Sequence, residues 1–252
     1  MKILNQVLSI NVLLFCNLIY SQYLKVEYQK IDLSTHKLNG VSKEFQDKIN
    51  QNNKVAQTSF LFYAEGNALF TTVPKDSFTH NAGDKRKDEK TVIHKREVFK
   101  GTEIKIYTPK NTKGIYVYYN FPDIKDEFYG YADTKFSKID YKAATIVIDK
   151  YLCKLVEVSL EAVPEKTYKI WYTEDMPISA GPFGFSSFPG LVLRVESPDD
   201  VITAVKISNE TKLSDVEKMN PKLKVYRNEE LNKKLEEVRE LRSKGTKEEI
   251  RL

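Results

Sequence analysis

The sequence predicts a mainly β protein: a strongly curved antiparallel sheet or half-barrel, with few short helices and a charged C-terminal helix. Three observations point to it. Short runs of alternating apolar and polar residues recur through most of the chain, the period of a half-buried strand. Turn residues separate these runs by only a few positions, which favours antiparallel neighbours. Aromatic residues make up 12% of the chain, and many of its 15 Tyr and 13 Phe fall in the strand-like runs, where they suit an ordinary core or a concave apolar face. At 252 residues the chain suits one large all-β domain or two small ones and is long enough for a substantial core; no internal repeat or domain linker divides it.

Residues 1–21 read as a cleavable export signal. Lys2 gives a short basic start, Val7 to Tyr20 is an apolar run, and Ser21 is the small residue before a cut near Ser21-Gln22. The run is too short for a comfortable membrane span, and no later segment approaches about 18 apolar residues. A periplasmic or secreted protein with no transmembrane span after signal removal is expected. Cys16 does not read as a lipid-attachment site, because Phe15 is bulky where such a signal wants a small residue. The processed chain then keeps one cysteine, Cys153, so no internal disulfide is expected. Cys153 lies between Leu152 and Leu155 in a strand-like run and reads as a buried thiol.

The elements follow in order through a single β-rich domain, 22–227. Tyr23 to Tyr28 alternates as a strand. Ser42 to Lys54 is polar with Phe45 and Ile49 at i,i+4, and suits a short helix or a turn. Thr58–Tyr63 and Ala68–Thr72 form a hairpin with its turn at Gly66-Asn67. Val73 to Asp88 lacks hydrophobic periodicity and reads as a flexible loop. Lys105–Thr108 and Ile115–Tyr119 flank Pro109 to Gly114 as a second hairpin. Tyr141 to Leu160 gives two strands turning near Asp149. Lys154–Leu160 then pairs with Tyr168–Tyr172 across Val163 to Lys166, and Leu191–Glu196 with Ile202–Ile207 across Ser197 to Asp200. From Asn228 to the end, 228–252, aromatics vanish and charges multiply. Asn228 caps a helix whose stripe is Leu231, Leu235 and Val238, with Glu229–Lys233 and Glu230–Lys234 pairs outside.

Between Tyr172 and Leu191 runs a long connection rich in proline, glycine and phenylalanine. Proline fixes φ and removes a donor, whereas glycine permits φ > 0. Its backbone path is therefore defined, and its phenylalanines need somewhere to bury. The pattern Trp171-Tyr-Thr…Pro177…Gly181-Pro182-Phe183-Gly184-Phe185, then Ser187-Phe-Pro-Gly-Leu-Val192, resembles the GLPGLI family of exported proteins from Bacteroidetes-type bacteria. The hexapeptide that names the family is matched at Pro189, Gly190 and Leu191. Ser187 replaces its first glycine, Phe188 its leucine and Val192 its last isoleucine. Cys153, near the start of the preceding strand, adds to the resemblance, whose strong part runs from Tyr151 to Val195. The resemblance implies no defined activity. It implies a companion of TonB-dependent outer-membrane receptors as the partner class.

Chemistry is sparse. The chain has no HExxH, GxSxG, P-loop or GxGxxG pattern. His36, His80 and His94 stand at no metal-like spacing, and no cofactor or metal is expected. Glu174-Asp175 is a local acidic pair without the regular ligand spacing of a calcium loop. Formal charge is +5 for the whole chain and +4 once Lys2 is removed, with both signs interspersed, which excludes a nucleic-acid footprint. Trp171, Phe183, Phe185 and Phe188 are the candidate lining of an apolar ligand site, with core packing of the loop as the competing reading. The expectation is an exported non-enzymatic binding or accessory protein that takes a hydrophobic or peptide ligand, or docks a receptor. The alternative is an envelope hydrolase whose site no motif reveals.

Overall fold

The structure is a computed structural model that describes residues 23–35, 37–88, 91–209 and 216–249. The expected export signal with Cys16, the expected cut at Ser21-Gln22, and His36 lie outside the described residues. The chain folds as the sequence predicts, into a curved, mainly antiparallel β-sheet not closed into a barrel. Among the described residues no helix is long and apolar enough to cross a membrane.

The first strand, β1 (Tyr23–Asp32), is followed by helix α1 (Lys43–Lys54), then β2 (Gln57–Ala64), β3 (Asn67–Thr72), β4 (Phe78–Asp88) and β5 (Thr91–Phe99). Next come β6 (Lys105–Thr108), β7 (Gly114–Phe121), β8 (Asp126–Asp133), β9 (Phe136–Ile148), β10 (Tyr151–Leu160) and β11 (Val163–Thr173). After the proline-rich loop follow β12 (Leu191–Glu196), β13 (Asp200–Ser208), β14 (Val225–Arg227) and helix α2 (Asn228–Glu249). Twelve strands form one sheet in the order β14-β8-β7-β6-β3-β2-β1-β13-β12-β11-β10-β9, and β4 pairs with β5 separately. β1 is the seam: it bonds β2 on one side and β13 on the other, joining two meanders.

Connectivity forces the curvature. β8 and β9 stand second and last in the sheet, roughly 50 Å apart were it flat. Only Thr134 and Lys135 separate them, a link that spans at most about 11 Å. The antiparallel pairings between them leave β8 and β9 running in the same sense, so the chain steps from one wing to the other without reversing. The two wings must therefore face each other. Their facing surfaces make the main core, to which Val26, Leu61 and Phe70 come from one wing and Val156, Ile170 and Leu193 from the other. A smaller cluster on the opposite face of β3, β6, β7 and β8 holds Leu69, Tyr107 and Tyr129 under Val216, Met219 and Leu223.

The structure corrects several sequence expectations. Val73 to Asp88 is not a flexible loop, because β4 begins at Phe78 and pairs with β5. This hairpin is held by α1, where Phe45 meets Phe78 at 5.7 Å and stacks on His80 at 6.2 Å. Ser42 caps α1 by accepting from the Phe45 amide at 3.2 Å, and its hydroxyl donates to buried Glu97 of β5 at 2.6 Å. The β10–β11 turn falls at Glu161-Ala162 rather than at 163–166, since Leu160 already pairs with Val163. The first hairpin turns at Glu65-Gly66, both with positive φ, one residue before the expected position. β8 and β14 are additional strands, and β14 pairs with β8 in parallel.

Helix α2 docks through the predicted stripe. Leu231 and Leu235 are half-buried and Val238 is buried. Leu231 packs so closely on Gly130 of β8 that a Cβ there would lie 2.9 Å from its methyl. Lys234 pairs with Asp126 of β8 at 2.9 Å and with Glu237, in place of the expected Glu230.

One buried hydrogen bond ties the seam to the far wing. The hydroxyl of fully buried Tyr28 in β1 donates to the Val192 carbonyl of β12 at 2.7 Å, beside a register irregularity between β11 and β12. Replacing Tyr28 by Phe removes this donor and leaves a buried carbonyl unpaired. Chemical denaturation should show a loss of about 1–3 kcal/mol with an unchanged m-value.

Candidate functional site

The loop between β11 and β12 lies inside the curled sheet. Its backbone is bonded to itself: the Ile178 amide donates to Met176, Ala180 to Ile178, Phe185 to Pro182 and Gly190 to Phe188. The returning chain then seals it, with the Leu191 amide donating to Met176 and Val192 to Ala180. Pro182 to Gly184 forms one short 3-10 turn. Phe183 sits there in the left-handed region at φ 54°, a conformation that costs a non-glycine residue energy and persists where surroundings hold it. Two close approaches explain the neighbouring glycines. A Cβ on Gly184 (φ 83°) would fall 2.3 Å from the Ile115 Cγ2 of β7, and one on Gly190 would fall 2.0 Å from the Thr173 carbonyl oxygen. Ser187, standing where the hexapeptide has glycine, has no positive φ.

Each predicted aromatic meets the protein's own side chains. The ring of Phe183, half-buried, lies 4.7 Å from Phe70 of β3, with the Lys30 ammonium 5.7 Å away. Phe185, 6% exposed, meets Tyr168 at 5.5 Å. Phe188, 2% exposed, contacts Phe136 of β9 at 5.8 Å and stacks on Tyr172 at 6.1 Å. Buried Trp171 donates from Nε1 to Glu196 at 3.0 Å, a carboxylate it shares with Arg194. Of the motif residues, Pro177 and Pro189 are exposed, whereas Gly181, Pro182, Gly184, Gly190 and Leu191 are buried. The loop thus touches β3 and β7 on one wing and β9 and β11 on the other.

The remaining sequence candidates separate. Cys153 is buried and its Sγ lies 3.6 Å from the Tyr151 carbonyl. Burial pushes its thiol up to about 11, so it stays protonated at neutral pH. His80 lies between the Phe45 ring and Glu44. Glu174 is engaged by Lys154 at 2.6 Å, and among the described residues no cluster of metal-ligating side chains forms.

What the sequence did not single out is a groove of about 610 Å³ on the β7 side of the molecule. Val117, Tyr119 and Phe121 share one face of β7 by its period of two and supply the floor. Ile104 of the β5–β6 connection and Arg242 of α2 make the walls, with Lys100, Glu103 and Asp123 at the edges. Tyr119 and Phe121 stack at 6.3 Å and 14°. The Arg242 guanidinium stands 5.6 Å from the Phe121 ring and bonds Asp123 at 2.7 Å. Burial raises the Tyr119 phenol above its ordinary range. The groove offers aromatic surface with a charged edge, and no serine, cysteine or histidine lines it. None of Trp171, Phe183, Phe185 and Phe188 lines it. The alternation of Ile115 to Phe121 was visible, but Tyr116 and Tyr118 on the other face are also aromatic, so sequence could not tell groove from core.

Fold and groove define an open, internally plugged antiparallel β protein with an aromatic concavity on its flank. The chain belongs to a family described as a protein of unknown function (Porph_ging), whose model matches residues 63–194 and so includes the plug. No curated protein matches the chain. Two solved structures of PNGF-II, in different space groups, are similar with TM-scores of 0.49 and 0.46 and identities of 13% and 12%. Each alignment covers 82% of this chain but only 32% and 31% of those chains. The chain therefore spans about a third of their length. An uncharacterized conserved protein from Thermus thermophilus is similar with a TM-score of 0.38 and 5% identity, over 82% of this chain and 91% of that one.

The burial of the plug yields a direct expectation. Phe185→Ala should lower unfolding free energy by about 3–5 kcal/mol, because it empties a packed site. An unchanged melting temperature with weakened uptake of an apolar probe would instead mark Phe185 as part of a ligand site.

Proposed function

We propose that this protein is an exported, non-enzymatic binding or accessory protein of the Gram-negative envelope, which holds a hydrophobic or peptide segment in the groove over β7. The observation that carries this is the groove itself: an aromatic concavity of about 610 Å³ with a charged edge, on a scaffold whose interior is already filled by its own loop. Two sequence features support the location and partner class. Residues 1–21 have the layout of an export signal. The loop pattern from Trp171 to Val192 resembles GLPGLI proteins, and that resemblance implies a TonB-dependent outer-membrane receptor as the partner.

The test uses the full-length chain in a Bacteroidetes-type host, with a photo-crosslinking residue at exposed Asn120 in the groove or at exposed Asp76 away from it. The expected result is a mature protein beginning at Gln22, crosslinked to a TonB-dependent receptor from position 120 and not from 76. Equal crosslinking from both positions, or retention of the uncut chain in the cytoplasm, contradicts the proposal. Turnover of ester, peptide or glycoside substrates by the purified protein would replace it with the hydrolase reading.

A further inference from the structure

A second concavity lies across the β5–β6 connection from the groove. It measures about 300 Å³ and is lined by Lys30 of β1, Lys75 of the β3–β4 connection and Lys100, with Asp32, Asn53 and Phe99 among the other lining residues. Gly101 and Thr102 also line it, and Lys100, Gly101 and Thr102 line the aromatic groove as well. One short stretch of chain is therefore the shared wall of a cationic pocket and an apolar groove.

That wall is fixed. A Cβ on Gly101 would lie 1.9 Å from the Lys75 carbonyl oxygen, so the two connections meet backbone to backbone. Lys75 is anchored too, donating to the Asn52 and Asn53 carbonyls at 2.6 and 3.1 Å, at the C-terminal end of α1 where a cation is favoured. Lys30 bonds Asp200 at 3.0 Å. Asp32 accepts from the Ser34 amide and hydroxyl at 2.9 and 2.7 Å. With Asp200 paired to Lys30 and Asp32 in the lining, three lysines meet two carboxylates and the pocket keeps one net positive charge. Burial holds the Lys75 ammonium below its usual range; Asp32 pulls it up, and repulsion from Lys30 pushes it down. Lysines from sequence positions far apart have been brought to one polar recess, where an oxyanion would relieve their repulsion.

We propose that this pocket is an anion-binding subsite, which receives a carboxylate, phosphate or sulfate group of the ligand whose apolar part lies in the neighbouring groove. The extension to one spanning ligand rests on the groove reading; the anion site does not. The ligand class that follows is an amphiphile or peptide carrying an acidic group next to an apolar segment. Of the three residues that line both concavities, Lys100 is the one that carries a charge to read the acidic group.

The test is calorimetric titration of the purified mature chain with inorganic phosphate and, separately, with acetate, in buffer of low ionic strength. Nile red, a neutral probe, reports on the groove in parallel. Phosphate binding should weaken by about tenfold or more in Lys100→Gln. It should be unaffected by Lys113→Gln, which removes the same charge from an exposed turn. Stronger binding of phosphate than of acetate assigns the acidic group as phosphate-like, and the reverse as a carboxylate. Absence of phosphate and acetate binding, or equal weakening in both variants, overturns the anion site, whatever Nile red does. Failure of Nile red to bind, with phosphate still sensitive to Lys100, removes the groove reading and leaves the anion site standing.

Discussion

Thr134 and Lys135 are the only residues between two strands at nearly opposite margins of a twelve-stranded sheet. Chain length is the constraint: a few residues cannot cross a flat sheet of that width. The wings must approach, and their apolar faces turn inward on each other. β1 makes this possible by lying between the meanders and bonding both. Its Tyr28 places a ring against Phe70 at 6.4 Å and a hydroxyl on the Val192 carbonyl. One residue of the seam therefore contacts both wings.

A sheet bent this way has an inside that must be filled, since protein interiors tolerate few voids. Side chains from the strands do part of this. The loop after β11 does the rest, with Phe183 toward one wing and Phe188 toward the other. Its glycines are required because backbone passes within contact distance of Ile115 and Thr173, and its own hydrogen bonds keep its amides satisfied away from water. The functional consequence is one of location. The loop fills the inner face as far as Ile115, and recognition falls to the margin of that face at the flank, over Val117, Tyr119 and Phe121, where the β5–β6 connection divides an aromatic groove from a cationic pocket. Helix α2 contributes to that flank through Arg242, docked by Leu231 over Gly130.

Much of the fold was legible in the sequence. The strands flanking short turns were recognisable from their alternation, and β12 and β13 begin or end within a few residues of their expected limits. β8 was not legible because Phe128, Tyr129 and Gly130 are buried in succession; a strand covered on both faces shows no period of two. β4 was missed for a different reason. Its support is non-local, coming from the ladder to β5 and from Phe45 of α1 against Phe78. β14 has three residues and exists beside β8, where α2 begins. The candidate site was least legible. The loop's rings could be read as needing burial, but not whether a ligand or the protein would cover them. The lysine pocket gathers positions 30, 75 and 100, and no spacing rule connects residues so far apart.

The central claim is that the proline-rich loop is an interior part of the fold. Native-state hydrogen exchange of the loop amides tests it most directly. The account predicts that the amides of Ala180, Phe185, Leu191 and Val192 exchange as slowly as those of β11 and β12, through global unfolding alone. Exchange of these amides at the rate of an exposed loop, while β11 and β12 stay protected, would contradict it.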